Sequence, residues 1–172
     1  TPVERNVVGS VGPPLPGVEV NIISPDETGS GEILVRGTMV MKEYYRNPAA
    51  TEEALKDGWF HTGDMARQDE ERYFYIAGRF KDMIISGGEN VYAAEVEAVF
   101  REHPAVADAA LIGQPDAKWG EVGLMVVALK PGQTVESGDV LAFCASRLAR
   151  FKIPKRVEFL DTLPYSPYGK VM

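Results

Sequence analysis

Thiol and imidazole are scarce in this chain: one cysteine, Cys144, and two histidines far apart, His61 and His103. A lone thiol excludes an internal disulfide framework, and two distant imidazoles offer no metal-ligand spacing. No apolar run approaches the about 20 residues of a membrane helix, and Thr1-Pro2-Val3-Glu4-Arg5 lacks the basic-then-apolar pattern of a secretory leader. Positive charge is short as well, with 18 Lys and Arg against 25 Asp and Glu, a net charge of −7 and a pI near 4.9. That balance argues against nucleic acid as a partner, since phosphate-backbone binders need a clustered excess of cations. A soluble, cytoplasmic chain with no membrane span is expected. No Met stands at position 1, so a piece of a longer protein is expected too. What the 172 residues do have is 45% hydrophobic content, enough for one core or two small ones.

Turn residues fill positions 1–17 and lead into Val18-Glu19-Val20-Asn21-Ile22, whose period-two alternation predicts a strand. Asp26 to Gly31 makes a turn, and Glu32 to Gly37 reads as a strand pairing back. Pro48 suits the first turn of a short helix through Lys56, ended by Asp57-Gly58. Strands near Asp64–Arg67 and Tyr73–Ala77 flank a polar turn. After Gly78-Arg79-Phe80-Lys81-Asp82 the character changes from β-rich to mixed. A strand Met83-Ile84-Ile85 is followed by a Gly87-Gly88 turn into a helix over about 93–101, with Val96, Val99 and Phe100 as its buried stripe. Strands over 106–112 and 122–128, a helix over 137–149 and a strand at 157–160 complete the pattern. Within that second helix Leu141, Cys144, Ala145 and Leu148 share a face, which predicts a buried cysteine. Prolines bar Leu163–Lys170 from helix and make it a surface loop.

Four short motifs carry chemistry. In Gly58-Trp59-Phe60-His61-Thr62-Gly63-Asp64 a carboxylate follows a Thr-Gly turn; an ionised Asp only accepts, which suits two adjacent ribose hydroxyls, although the same residue fits an ordinary strand edge. At Gly78-Arg79 a planar guanidinium ends a strand, where it can meet that ribose, a phosphate or a surface acid. Ser86-Gly87-Gly88-Glu89-Asn90-Val91-Tyr92 permits positive φ or close backbone approach to a ligand, and equally an ordinary turn. Its glycine spacing is not that of a dinucleotide fingerprint. The fourth is Gly169-Lys170: a P-loop would need Gly at 164 and Ser or Thr at 171, where Pro164 and Val171 stand. One lysine on a proline-broken tail remains.

Their order and spacing, with Gly9-Ser10-Val11-Gly12, Gly31-Glu32-Ile33-Leu34-Val35-Arg36-Gly37 and Tyr44-Tyr45-Arg46-Asn47-Pro48, resemble the C-terminal third of the adenylate-forming superfamily of acyl-CoA synthetases, nonribosomal adenylation domains and luciferases. The form of the Ser86–Tyr92 motif, of Asp116-Ala117-Lys118-Trp119-Gly120-Glu121 and of Phe151-Lys152-Ile153-Pro154-Lys155 is similar to that in fatty-acyl-CoA and aryl-CoA ligases. The resemblance implies an α+β fold, with residues 1–79 as the β-barrel-like tail of a large AMP-binding domain, 80–82 as a hinge and 83–172 as a small mobile domain. It implies that Asp64 and Arg79 bind nucleotide, that Lys81 is the hinge residue, and that Lys170 acts in catalysis by meeting charge at the acyl carboxylate and phosphate. Gly87, Gly88, Glu89, Lys118 and Lys155 are implied to bind CoA, with Gly88 lining the pantetheine channel. The implied activity joins a carboxylic acid to CoA with ATP and accompanying Mg²⁺, no protein metal site being expected. A carrier protein as acyl acceptor, or a non-catalytic interaction module, is the alternative. The triphosphate-binding loop and the acyl pocket are implied to lie in an N-terminal domain that these residues do not include, so this fragment alone is expected to be inactive.

Overall fold

The computed structural model describes residues 7–167. Internal packing divides the chain into two compact units, Thr1–Lys81 and Asp82–Met172. The fold is mixed α+β, as the sequence predicts, with two five-stranded sheets and three helices among the described residues.

In the first unit, β1 (Val18–Ile23), β2 (Gly31–Gly37), β3 (Leu55–Lys56), β4 (Trp59–Gln68) and β5 (Phe74–Arg79) pair antiparallel. The long β4 is central: β2 lies along one edge, and β3 and β5 share the other. Helix α1 (Pro48–Ala54) begins where Asn47 Oδ1 accepts the Ala50 N–H at 3.1 Å, with Pro48 in the first turn where no N–H is needed. It stops two residues short of the expected Lys56. Asp57 and Gly58 both have positive φ, 52° and 79°, the signature of a two-residue hairpin turn, and that turn draws Leu55 and Lys56 into pairing with Phe60 and Trp59. The core is small, formed by Ile33, Ala66 and Phe74 with Val20, Ile22 and Val35 against it.

The second unit holds β6 (Met83–Ser86), β7 (Glu89–Tyr92), α2 (Ala93–Arg101), β8 (Val106–Asp116), β9 (Gly120–Leu129), α3 (Ser137–Ala145) and β10 (Arg156–Leu160). Here β9 is central, antiparallel to β8 along its whole length and parallel to β10 on the other edge, with β6 beside its first residue. Alternation along β8 and β9 sends Ala109, Leu111, Met125 and Val127 to one face, where Val96 and Phe100 of α2 and Val140 and Cys144 of α3 cover them. Ala110, Leu124, Val126 and Ala128 point to the other face, where Leu163 packs on them.

Three expectations are corrected here. The Gly87-Gly88 turn does not lead from strand to helix: it closes a β6–β7 hairpin, and α2 starts only after β7. Helix α3 ends at Ala145 rather than 149, because the N–H groups of Arg147 and Leu148 both turn back to the Cys144 carbonyl; Ala145 is consequently exposed while Val140 takes its place on the buried face. The described part of the tail beyond β10, residues 161–167, forms no helix, yet Leu163 is buried, since the second sheet face offers it an apolar seat.

Candidate functional site

Strands β4 and β5 put Asp64 directly across from Arg79. Between Glu32 and Leu34 of β2 the register slips, so Ile33 alone faces Thr62, Gly63 and Asp64. Such a bulge leaves backbone groups outside the ladder, and side chains take them up. Thr62 Oγ1 donates to the Ile33 carbonyl at 2.8 Å and accepts the Asp64 N–H at 3.1 Å. Glu32 Oε1 accepts the Gly63 N–H at 3.2 Å, and its Oε2 accepts from His61 Nδ1 at 3.0 Å. Gly63 sits at φ 72°, a conformation that favours glycine. This braced bulge aims the Asp64 carboxylate at Arg79, with Oδ1 3.7 Å from Nε, and leaves the two side chains 43% and 46% exposed. A carboxylate and a guanidinium side by side on an open strand end can meet a diol and an anion together.

A second cluster forms in the other unit. Gly87 and Gly88 have φ of 64° and 91°, the pattern of a type I′ turn. The Gly87 N–H donates to the Trp119 carbonyl at 2.7 Å, and a Cβ on Gly87 would stand 2.8 Å from Trp119 Cε3. Asp116 Oδ1 holds the β8–β9 turn by accepting the N–H groups of Lys118 and Trp119 at 2.8 and 2.9 Å. Those two bonds, Trp119's foremost, hold the Asp116 carboxyl below the usual range. Lys118 Nζ lies 4.7 Å and Lys155 Nζ 5.7 Å from the centroid of the Trp119 ring, which is itself partly exposed. The result is an indole surface with two ammonium groups beside a side-chain-free hairpin tip. Lys152, by contrast, is engaged: its Nζ contacts both carboxylate oxygens of Glu95 at 2.7 Å.

Of the residues singled out in the sequence, the structure pairs Asp64 with Arg79, and gathers Gly87, Gly88, Lys118 and Lys155 around Trp119. Glu89 is exposed at the start of β7, opposite Ser86. Lys81 is exposed in the short 3₁₀ turn Phe80–Asp82, through which the division between the units passes. Lys170 lies outside the described residues. Two contributors escape sequence reasoning. Glu32 carries no local signal, because its partners are 29 and 31 positions away. Trp119 stands in a quoted motif, but its proximity to Gly87 arises only through the pairing of β6 with β9. Among the described residues no group of His, Cys, Asp or Glu is arranged to hold a metal ion, and no helix is long and apolar enough to cross a membrane.

Residues 95–170 match the AMP-binding enzyme C-terminal domain, and over nearly its whole length the chain is similar to acyl-CoA and aryl-CoA ligases. A feruloyl-CoA synthase of an Amycolatopsis species is 46% identical over 170 residues, which are 96% of this chain and 35% of that protein. The long-chain-fatty-acid–CoA ligase FadD13 of Mycobacterium tuberculosis is 45% identical over 146 residues, 85% of this chain and 29% of its own. Among solved structures, the o-succinylbenzoate CoA synthetase of Bacillus subtilis in complex with its acyl-adenylate intermediate superposes with a TM-score of 0.86 at 41% identity, covering 95% of this chain and 34% of that one. The chain thus spans about a third of the length of the relatives it matches.

Proposed function

We propose that the protein containing this chain is an ATP-dependent carboxylic acid–CoA ligase, and that these residues supply its nucleotide clamp, hinge, catalytic lysine and CoA-facing surface. The observation that carries this reading is the Trp119 ring with Lys118 and Lys155 beside the Gly87-Gly88 hairpin. Coenzyme A ends in an adenosine bearing a 3′-phosphate and a diphosphate, which an aromatic face and two cations suit. A carrier protein's phosphopantetheine has no adenine to stack, so the cluster favours CoA over that alternative. Fatty and aromatic acids are the substrate classes favoured by the motif forms, in that order, and both have counterparts among the named relatives.

In this reading the substrate carboxylate attacks the α-phosphate of ATP, forming a carboxyl–phosphate bond as pyrophosphate leaves. Asp64 accepts from the ribose hydroxyls and Arg79 supports the same nucleotide. Lys170 offsets the negative charge that grows at the reacting phosphate and carboxylate. Mg²⁺ would arrive with ATP as part of the substrate. The small unit then turns about Lys81, bringing the Gly88 tip to the adenylate; a hairpin tip without side chains leaves room for pantetheine. The thiol attacks the acyl carbon, AMP departs with the electron pair of the broken bond, and the thiol proton goes to solvent. Work of this kind in the cytoplasm fits a protein handling free CoA and ATP.

The test uses the full-length protein. Lys170→Ala should cut ATP–pyrophosphate exchange about 10²–10³-fold while sparing thioester formation from a supplied acyl adenylate, and Gly88→Leu should do the reverse. Trp119→Ala should raise KM for CoA about tenfold or more, the scale of one lost base stack, but leave KM for pantetheine as it was. Equal loss of both half-reactions in every variant, or indifference of CoA and pantetheine alike to Trp119, would overturn the assignment.

A further inference from the structure

Among the described residues strand β8 pairs with β9 alone and so forms an edge of the sheet. Two of its outward backbone groups are nevertheless satisfied by side chains reaching over the edge from α2. Glu97 Oε1 accepts the Leu111 N–H at 3.0 Å, and Arg101 donates to the Ala109 carbonyl at 2.7 Å. Arg101 also donates through Nε to Asp108 Oδ1 at 2.9 Å and bonds Glu97 Oε2 at 3.2 Å. Asp108 Oδ1 additionally accepts the N–H of Ala109 at 2.8 Å. A carboxylate held so firmly on one oxygen presents the other in a fixed direction, and the Tyr165 hydroxyl donates to that Oδ2. Two residues earlier, Leu163 is buried against Ala110, Leu124, Val126 and Ala128, on the face of β8 that also carries Asp108.

We propose that Tyr165 is a positioning residue for adenylation: its bond to Asp108, together with the Leu163 seat, fastens the root of the tail to β8, so that Lys170 works from a short tether. The proposal rests on the functional reading above, in which Lys170 serves the first half-reaction. From 165 to 170 is five residues, a span of at most about 18 Å. Were the root released back to Leu160, the end of β10, the tether would double in residues and the lysine would search a far larger volume. The Tyr165 ring is 47% exposed and lies outside the apolar clusters, so its hydroxyl holds the tail rather than the core. Both partners respond to the bond: it pushes the Tyr165 hydroxyl above its ordinary range, and it is the foremost influence drawing the Asp108 carboxyl down against the opposing effect of burial.

Tyr165→Phe removes one oxygen and leaves the ring. In the full-length protein it should lower kcat for ATP–pyrophosphate exchange about three- to tenfold, the range open to a single exposed hydrogen bond to a charged group. KM for ATP and single-turnover thioester formation from a supplied acyl adenylate should stay at wild-type values. In an Asp108→Ala background, where the acceptor is already gone, adding Tyr165→Phe should change adenylation no further. Lys170→Ala, assayed alongside, separates the two levels of the argument. If Lys170→Ala is inactive in adenylation and Tyr165→Phe is not impaired, the pin is wrong and the functional reading stands. If Tyr165→Phe weakens both half-reactions equally, its role is structural and the proposal fails. If Lys170→Ala keeps full adenylation, there is no lysine to position and both fall.

Discussion

Gly87→Ala and Gly88→Ala ought to be nearly equivalent by sequence, yet the structure separates them. Both positions have positive φ, 64° and 91°, so each alanine incurs the left-handed penalty of roughly 1–2 kcal/mol. At Gly88 nothing stands within 4 Å of the added Cβ, and the cost ends there. At Gly87 the methyl meets Trp119 Cε3 at 2.8 Å and Cζ3 at 3.2 Å, well inside contact distance. Trp119 is 41% exposed, so the indole can yield by rotating outward, and the added stability cost should stay near the lower end of the ~1–3 kcal/mol of an overpacked site. The rotation takes the ring away from Lys118 and Lys155, which lie 4.7 and 5.7 Å from its centroid. Gly87→Ala should therefore be about 1 kcal/mol less stable than Gly88→Ala in urea denaturation. In a Trp59→Phe background, where Trp119 is the remaining indole, its emission should shift in Gly87→Ala and stay unchanged in Gly88→Ala. KM for CoA in the full-length protein should rise in the first by the same route. Identical stability, emission and KM in the two variants would refute the indole contact as the distinguishing feature.

Two further predictions concern the bulge and the core. Glu32→Ala removes acceptors from His61 and Gly63 at a site where the carboxylate is 21% exposed, so about 1–3 kcal/mol of stability should be lost; KM for ATP should rise as Asp64 loses its fixed aim, and an unchanged KM would show that the bulge does not set that aim. Burial pushes the Cys144 thiol up from 9.0 to about 11, so at pH 8 it should resist a thiol-disulfide reagent until the chain is unfolded. Because the folded state holds that proton more tightly, the associated stability is complete below pH 9, declines between 9 and about 11, and amounts to about 3 kcal/mol at most. Cys144→Ala should abolish that decline, and an equal alkaline slope in both proteins would disprove the assignment.

Much of this molecule was legible in local patterns. Alternation at Val18–Ile22, Asn47-Pro48 at a helix start, and the stripe of Val96 and Phe100 each report what a few neighbouring residues do, because side-chain direction repeats with the backbone period. Even the hairpin at Asp57-Gly58 carried its own signal, although that turn was expected only to end a helix running two residues too far, through Lys56. The order of the motifs was sufficient to name the family. Glu32 bracing Gly63 across 31 positions, Trp119 beneath Gly87, and Tyr165 bound to Asp108 across 57 were not legible. Each depends on strand register and sheet order, which pairing and packing over the whole chain settle and no local pattern encodes. The sequence alone determined which chemical groups are present and in what elements they sit; the tertiary structure decided which of them meet, because a bulge, an edge strand and a shared sheet face acquire their partners only when distant segments are folded together.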